Sequence, residues 1–109
     1  MYKVNLSQIE TQVKAIKQEL QTIGKMRPGS LTVQYRVPKK KIGPFYQISY
    51  THKMQSRTNY VRPQFVKRLK KEIKTYKRFK YLVEKWVELA IKQSQLVMKV
   101  DIMKEKKVS

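Results

Sequence analysis

The apolar positions of this chain change period twice. Leu6, Ile9, Val13, Ile16, Leu20 and Ile23 recur at alternating spacings of three and four, so one narrow apolar stripe predicts a helix over 6–23. Ser7 and Glu10 stand at capping-box spacing, Asn5 is the alternative cap, and Gly24 suits the position just past the helix end. The period then falls to two. After the turn-rich linker Lys25–Ser30, Leu31, Val33, Tyr35 and Val37 alternate with polar residues and read as a half-buried strand. A basic loop, Pro38–Pro44, separates it from a strand carrying Tyr46, Ile48 and Tyr50. His52-Lys53-Met54-Gln55 reads as a hairpin turn into a third strand, where Ser56, Thr58 and Tyr60 alternate with Arg57, Asn59 and Val61. Short connections favour an antiparallel β-meander over 30–62.

From Pro63 the helical period returns and meets no further Gly or Pro, so a long helix is expected over 63–104, with a polar tail at 105–109. About forty helical residues span about 60 Å, against about 27 Å for the first helix. The fold class is therefore α+β, a single domain of N-terminal helix, three-stranded antiparallel meander and long C-terminal helix. In the first half of the long helix Val66, Leu69, Ile73, Tyr76, Val83 and Val87 share a face expected to pack on the sheet and the first helix. Lys67, Lys70, Lys71, Lys74, Lys77 and Arg78 make a basic stripe opposite, which Lys85 extends. In the second half Phe79, Leu82, Trp86, Leu89, Leu96, Val100 and Met103 form a heptad-like stripe, with Val83, Val87, Ala90, Ile91, Val97 and Met98 around it. One short helix is not expected to cover so much apolar surface, so this stripe is the expected protein interface, with a second copy or a larger partner.

Composition sharpens this picture. The chain has 109 residues, 26 Lys and Arg against 7 Asp and Glu, and a net charge of +19. Self-repulsion on that scale calls for a polyanionic partner, and nucleic acid is the commonest. The charge is uneven: no acid occurs between Glu19 and Glu72. With no cysteine and only His52, disulfides, thiolate or His-rich metal sites and a cysteine nucleophile are excluded, and no cofactor is expected. No apolar run approaches the roughly 20 residues of a membrane span, and the N-terminus lacks a signal-peptide apolar core, so a cytoplasmic location is expected. The bases do not flank the apolar half of the long helix, which argues against a membrane-surface helix.

Backbone phosphates need cations, and bases need stacking faces or edge-reading groups. Lys39, Lys40 and Lys41 in the loop, with Arg27, Arg36 and Arg62, are candidate phosphate contacts; Arg57 and Asn59 share a strand face and suit base edges. Tyr35, Tyr46, Tyr50 and Tyr60 suit either base stacking or core packing. His52 falls in a turn and receives no role. An enzyme is not expected, because the seven acids are spread along two helices with none in the sheet, and no phosphate loop or nucleophile motif occurs.

Met26-Arg27-Pro28-Gly29-Ser30-Leu31, then Tyr35, Gly43-Pro44-Phe45-Tyr46-Gln47-Ile48-Ser49-Tyr50, Arg57-Thr58-Asn59-Tyr60-Val61 and Tyr76-Lys77-Arg78-Phe79-Lys80-Tyr81-Leu82 follow in an order that resembles a family of small bacterial and archaeal proteins of uncharacterised function, often encoded among mobile elements. The resemblance covers about residues 5–95. Many relatives carry a cysteine cluster before a His-Gly-Pro motif, which looks like a metal-binding loop. Here Val37–Ile42 holds that place and Ile42 stands where the histidine would be, so no metal site carries over and the basic loop would substitute for it electrostatically. The resemblance implies an accessory role beside a transposase or a nucleic-acid-guided nuclease. The rival expectations are an adaptor or inhibitor meeting an acidic protein, and a structural subunit of a ribonucleoprotein.

Overall fold

A computed structural model describes residues 5–108; Met1–Val4 and Ser109 lie outside the described residues. The architecture is α+β, as the sequence periods require: an N-terminal helix, a three-stranded antiparallel sheet and a long C-terminal helix. Helix α1 spans Leu6–Gln21. Asn5 caps it, its side chain accepting from the Gln8 amide at 2.9 Å while Gln8 Oε1 accepts from the Asn5 amide at 3.3 Å. The reciprocal pair uses Asn5 and Gln8 rather than Ser7 and Glu10. The helix ends earlier than 23 because Thr22 closes it, with its amide and hydroxyl both donating to the Glu19 carbonyl. Gly24 is not needed in a left-handed conformation there.

Strands β1 (Ser30–Val37), β2 (Ile42–His52) and β3 (Gln55–Val61) form the sheet in the order β1-β2-β3. The register pairs Leu31 with Ile48 and Ile48 with Asn59, and Val33 with Tyr46 and Tyr46 with Val61. The expected basic loop is shorter than Pro38–Pro44. A one-turn 3₁₀ helix, Pro38–Lys40, and a left-handed Lys41 (φ 51°) turn the chain so that β2 already begins at Ile42. Proline is tolerated at position 44 because β3 stops opposite Tyr46, so β2 is paired on one side only at that point. Gly29 is the glycine the fold cannot replace: its φ is +141°, and a Cβ there would stand 2.8 Å from Ile48 Cγ1 and 3.0 Å from the Ser49 carbonyl oxygen.

A 3₁₀ turn at Pro63–Phe65 leads into α2, Val66–Val108. The helix continues through the expected tail at 105–108, since nothing from Glu105 to Val108 breaks it. At 43 residues it is about 65 Å long, too long for either neighbouring element to cover. The chain accordingly forms two compact units, each with its own core, where its length alone suggests one. The first is Gly24–Arg78; the second combines Met1–Ile23 with Phe79–Ser109. In the sheet unit Ile48 and Val61 pack on Leu69 and Ile73, with Leu31, Tyr46 and Val66 around them. In the helical unit Ile9 and Ile16 pack on Leu82 and Leu89, with Val13, Leu20, Ile23, Trp86 and Leu96 at the margin. The helical partners are antiparallel: Asn5 and Leu6 lie with Leu96 and Val100, and Lys17 Nζ sits over the Trp86 ring at 5.2 Å.

Candidate nucleic-acid interface

The two units divide the charge unequally. Gly24–Arg78 carries sixteen bases against Glu72 alone, a net +15; the helical unit carries ten bases and six acids, a net +4. The chemistry of anion binding is therefore concentrated in the sheet unit, which has two layers. One sheet face, bearing Leu31, Ile48 and Val61, is covered by the first turns of α2. The side-chain alternation of the strands puts Gln34, Arg36, Phe45, Gln47, Ser49, Thr58 and Tyr60 on the other, open face. Hydroxyl pairs cross it, Ser49 to Thr58 at 3.1 Å and Thr51 to Ser56 at 3.2 Å.

The candidate cations fall into three groups. Lys67, Lys70, Lys71, Lys74 and Lys77 are exposed along the side of α2 turned away from the sheet, with Arg78 continuing the stripe. Lys39, Lys40 and Lys41 are exposed in the β1–β2 turn. Arg36 lies beside them, and its side chain crosses Gly43, where any Cβ would meet Arg36 Cβ, Cγ and Cδ at 3.2–3.3 Å. Arg27 and Arg62 are brought together in a third place, a 430 Å³ cleft beside the end of β3. Arg68, Tyr60, Phe65 and Glu72 complete its rim, over Val61 and Leu69. The stripe and the open face point away from opposite sides of the unit, so a single flat surface does not hold all these residues. The cleft lies at the edge between them.

Arg57 and Asn59 are not in that cleft. They lie on the helix-facing side of β3, exposed yet engaged: Arg57 Nη2 donates to Gln55 Oε1 at 3.0 Å, and Asn59 Nδ2 to the Tyr50 hydroxyl at 3.4 Å. The tyrosines separate by role. Tyr46 belongs to the core margin. Tyr50 is half-buried under the Arg27 guanidinium, 5.3 Å from ring centroid to Cζ, a cation–π contact that joins the linker to the sheet. The Arg27 amide also donates to the Glu72 carbonyl at 3.1 Å, which holds the linker to α2. Tyr35 is half-buried, whereas Tyr60 is 62% exposed. Periodicity left Arg68, Phe65 and Phe45 without a role; Arg68 is placed by its bond to Glu72, Nε to Oε2 at 3.2 Å. Phe65, standing just after a helix-opening proline, was the signal available for an exposed aromatic there.

Part of the stripe expected to meet a protein partner is used inside the helical unit. Leu82 and Leu89, 3% and 4% exposed, are used inside the helical unit against Ile9 and Ile16, and Trp86 and Leu96 pack at their margin. Phe79 is half-buried. A short α1 covers this stripe because its own spacing of seven, Ile9 to Ile16, matches Leu82 to Leu89. Val100 and Met103 remain exposed and, with Leu6 and Leu96, line an apolar groove of 630 Å³. The larger exposed apolar set lies on the opposite side of α2: Val87, Ile91, Met98 and Ile102, each more than half exposed.

No helix among the described residues is long and apolar enough to cross a membrane, and those residues contain no cluster of three or more His, Cys, Asp or Glu that could hold a metal ion. The chain finds no significant match among protein-family models, curated proteins or solved structures.

Proposed function

We propose that this chain is a non-enzymatic nucleic-acid-binding protein that grips backbone phosphates through its sheet unit and associates with protein through its helical unit. The observation that carries the reading is the partition of charge: +15 lies in 55 residues, Gly24–Arg78, with one acid that already has an arginine partner. Held without counterions such a surface repels itself, and a polyanion relieves that repulsion. The side chains suit phosphate, since guanidinium groups form paired hydrogen bonds to it and lysines supply point charges. The helical unit supports the second half of the reading. It has a weaker charge and an apolar side, Val87, Ile91, Met98 and Ile102, which its own α1 leaves uncovered. By resemblance of motif order, the setting would be a mobile element, with a transposase or nuclease as the larger partner.

The test is binding of fluorescent oligonucleotides in competition with polyglutamate of matched charge. We expect micromolar or tighter binding that polyglutamate displaces poorly. Charge reversal of Lys39, Lys40 and Lys41 to Glu, or of Lys70, Lys71 and Lys74 to Glu, should weaken it at least tenfold. Equal displacement by polyglutamate, with a defined stoichiometric protein complex and no stable oligonucleotide complex, would establish the adaptor reading instead.

A further inference from the structure

The geometry points to an unpaired nucleotide as the occupant of the cleft beside the end of β3, and so to single-stranded nucleic acid as the preferred ligand; this deepens the nucleic-acid reading above and rests on it. The cleft combines what a nucleotide needs and a bare phosphate does not. Two aromatic rings, Tyr60 at 62% and Phe65 at 45% exposure, stand on its rim beside the guanidinium-bearing Arg27, Arg62 and Arg68. Exposed aromatics among arginines supply stacking faces and phosphate contacts together, the combination that single strands use. The cleft is an open surface concavity of 430 Å³, where a base laid against the rim rings stays within reach of the arginines. Its fixed parts are preorganised: Arg27 is held by Tyr50 and the Glu72 carbonyl, and Arg68 by the Glu72 carboxylate.

The surroundings give an approach path. β2 leaves the lysine turn at Ile42 and reaches the end of β3 at Tyr46, so Lys39–Lys41 and the cleft lie at one end of the sheet. Between them on the open face is Phe45, diagonal to Tyr60 across the Gln47–Tyr60 pair. A strand can therefore run from the lysines over Phe45 and Tyr60 into the cleft, then around the edge to the α2 stripe. A duplex cannot follow. It is stiff, its bases stay inside the stack, and the two basic surfaces face opposite ways.

The experiment is fluorescence anisotropy of the full chain with a labelled twenty-nucleotide oligo-dT, and with a mixed-sequence duplex of equal length, at one salt concentration. We expect the single strand to bind at least tenfold more tightly. Tyr60→Ala with Phe65→Ala should lower single-strand affinity about tenfold or more and leave duplex affinity within twofold, because stacking is lost while charge is kept. Tyr60→Phe with Phe65→Tyr should restore it. If circular dichroism shows the double alanine variant unfolded, Tyr60→Leu alone carries the test, with at least a threefold loss expected. Duplex bound as tightly as single strand, or unchanged single-strand affinity without the aromatic rings, would overturn the inference while leaving nucleic-acid binding standing. Failure of the unaltered chain to bind either probe would instead overturn the nucleic-acid reading itself.

Discussion

At the scale of single residues, several positions are poor choices for stability alone. Arg62 occupies the N-cap of the Pro63–Phe65 turn, offers no capping hydrogen bond, and no acid follows in the first turn of α2. A cation there opposes the helix dipole and leaves amide donors uncapped. We expect Arg62→Asp to raise stability by about 1 kcal/mol, measured by urea denaturation, and to weaken nucleic-acid binding several-fold. Stability and binding moving in opposite directions would mark Arg62 as a residue kept for its ligand; a joint loss would mark it as structural. Lys53 and Met54 form the β2–β3 turn with φ values of 51° and 66°, as a type I′ turn requires, and Met54 is 99% exposed. Neither side chain suits positive φ. Lys53→Asn with Met54→Gly should therefore stabilise by about 1 kcal/mol, seen as a rise of about 4–8 °C in Tm, without changing nucleic-acid affinity. A fall in Tm would show that the turn is held by something other than its backbone preference.

At the scale of elements, the chain was legible wherever one face of an element is buried. The spacing of Ile9 and Ile16, the positions Leu31, Tyr46 and Ile48 in the strand alternation, and the Val66–Leu69–Ile73 run all place residues that the cores use or border, whereas Val33 and Val37 of the same alternation stay exposed. Periodicity failed where two faces compete. In α2 beyond Phe79 apolar residues lie on both sides, and the spacing within α2 alone does not say which side α1 takes; α1 takes the side of Leu82 and Leu89, whose spacing of seven matches its own Ile9 and Ile16, with Trp86 at the margin. The cleft was illegible for a different reason. It joins a linker residue, a strand end, a 3₁₀ turn and the first turn of a helix, positions 27, 60, 65 and 68, and no local pattern connects them. The uncovered side of α2 gives its own expectation. A second copy would bury Val87, Ile91, Met98 and Ile102 against their own equivalents, so the chain should be dimeric at tens of micromolar by light scattering. Ile91→Glu with Met98→Glu should yield a monomer of unchanged helicity. A wild-type monomer across that range would remove self-association as the use of this face.

At the scale of the whole molecule, the two units differ in core and in charge. The helical unit buries a small seam of Ile9, Ile16, Leu82 and Leu89 and carries only +4; the sheet unit holds +15 over a core of Ile48, Val61, Leu69 and Ile73. Each core is small, so a single large-to-small change should be costly: Leu89→Ala or Ile48→Ala should each destabilise by about 2–4 kcal/mol, measured by chemical denaturation. The charge of the sheet unit opposes its own folding, which neutralisation by a ligand would offset, so an oligonucleotide should raise the Tm of the wild-type chain. The central claim is that phosphate neutralisation by Gly24–Arg78 drives binding, and the salt dependence of oligonucleotide affinity tests it most directly. For a single strand, the logarithm of affinity should fall against the logarithm of salt with a slope of about −0.7 per phosphate neutralised. Engagement of five or more of the sheet unit's cations gives a slope of about −3.5 or steeper, and Lys70→Glu with Lys74→Glu should flatten it by at least about one. A shallow slope, near zero or unchanged by that reversal, would contradict the account, because the +15 surface would then not be what holds the nucleic acid.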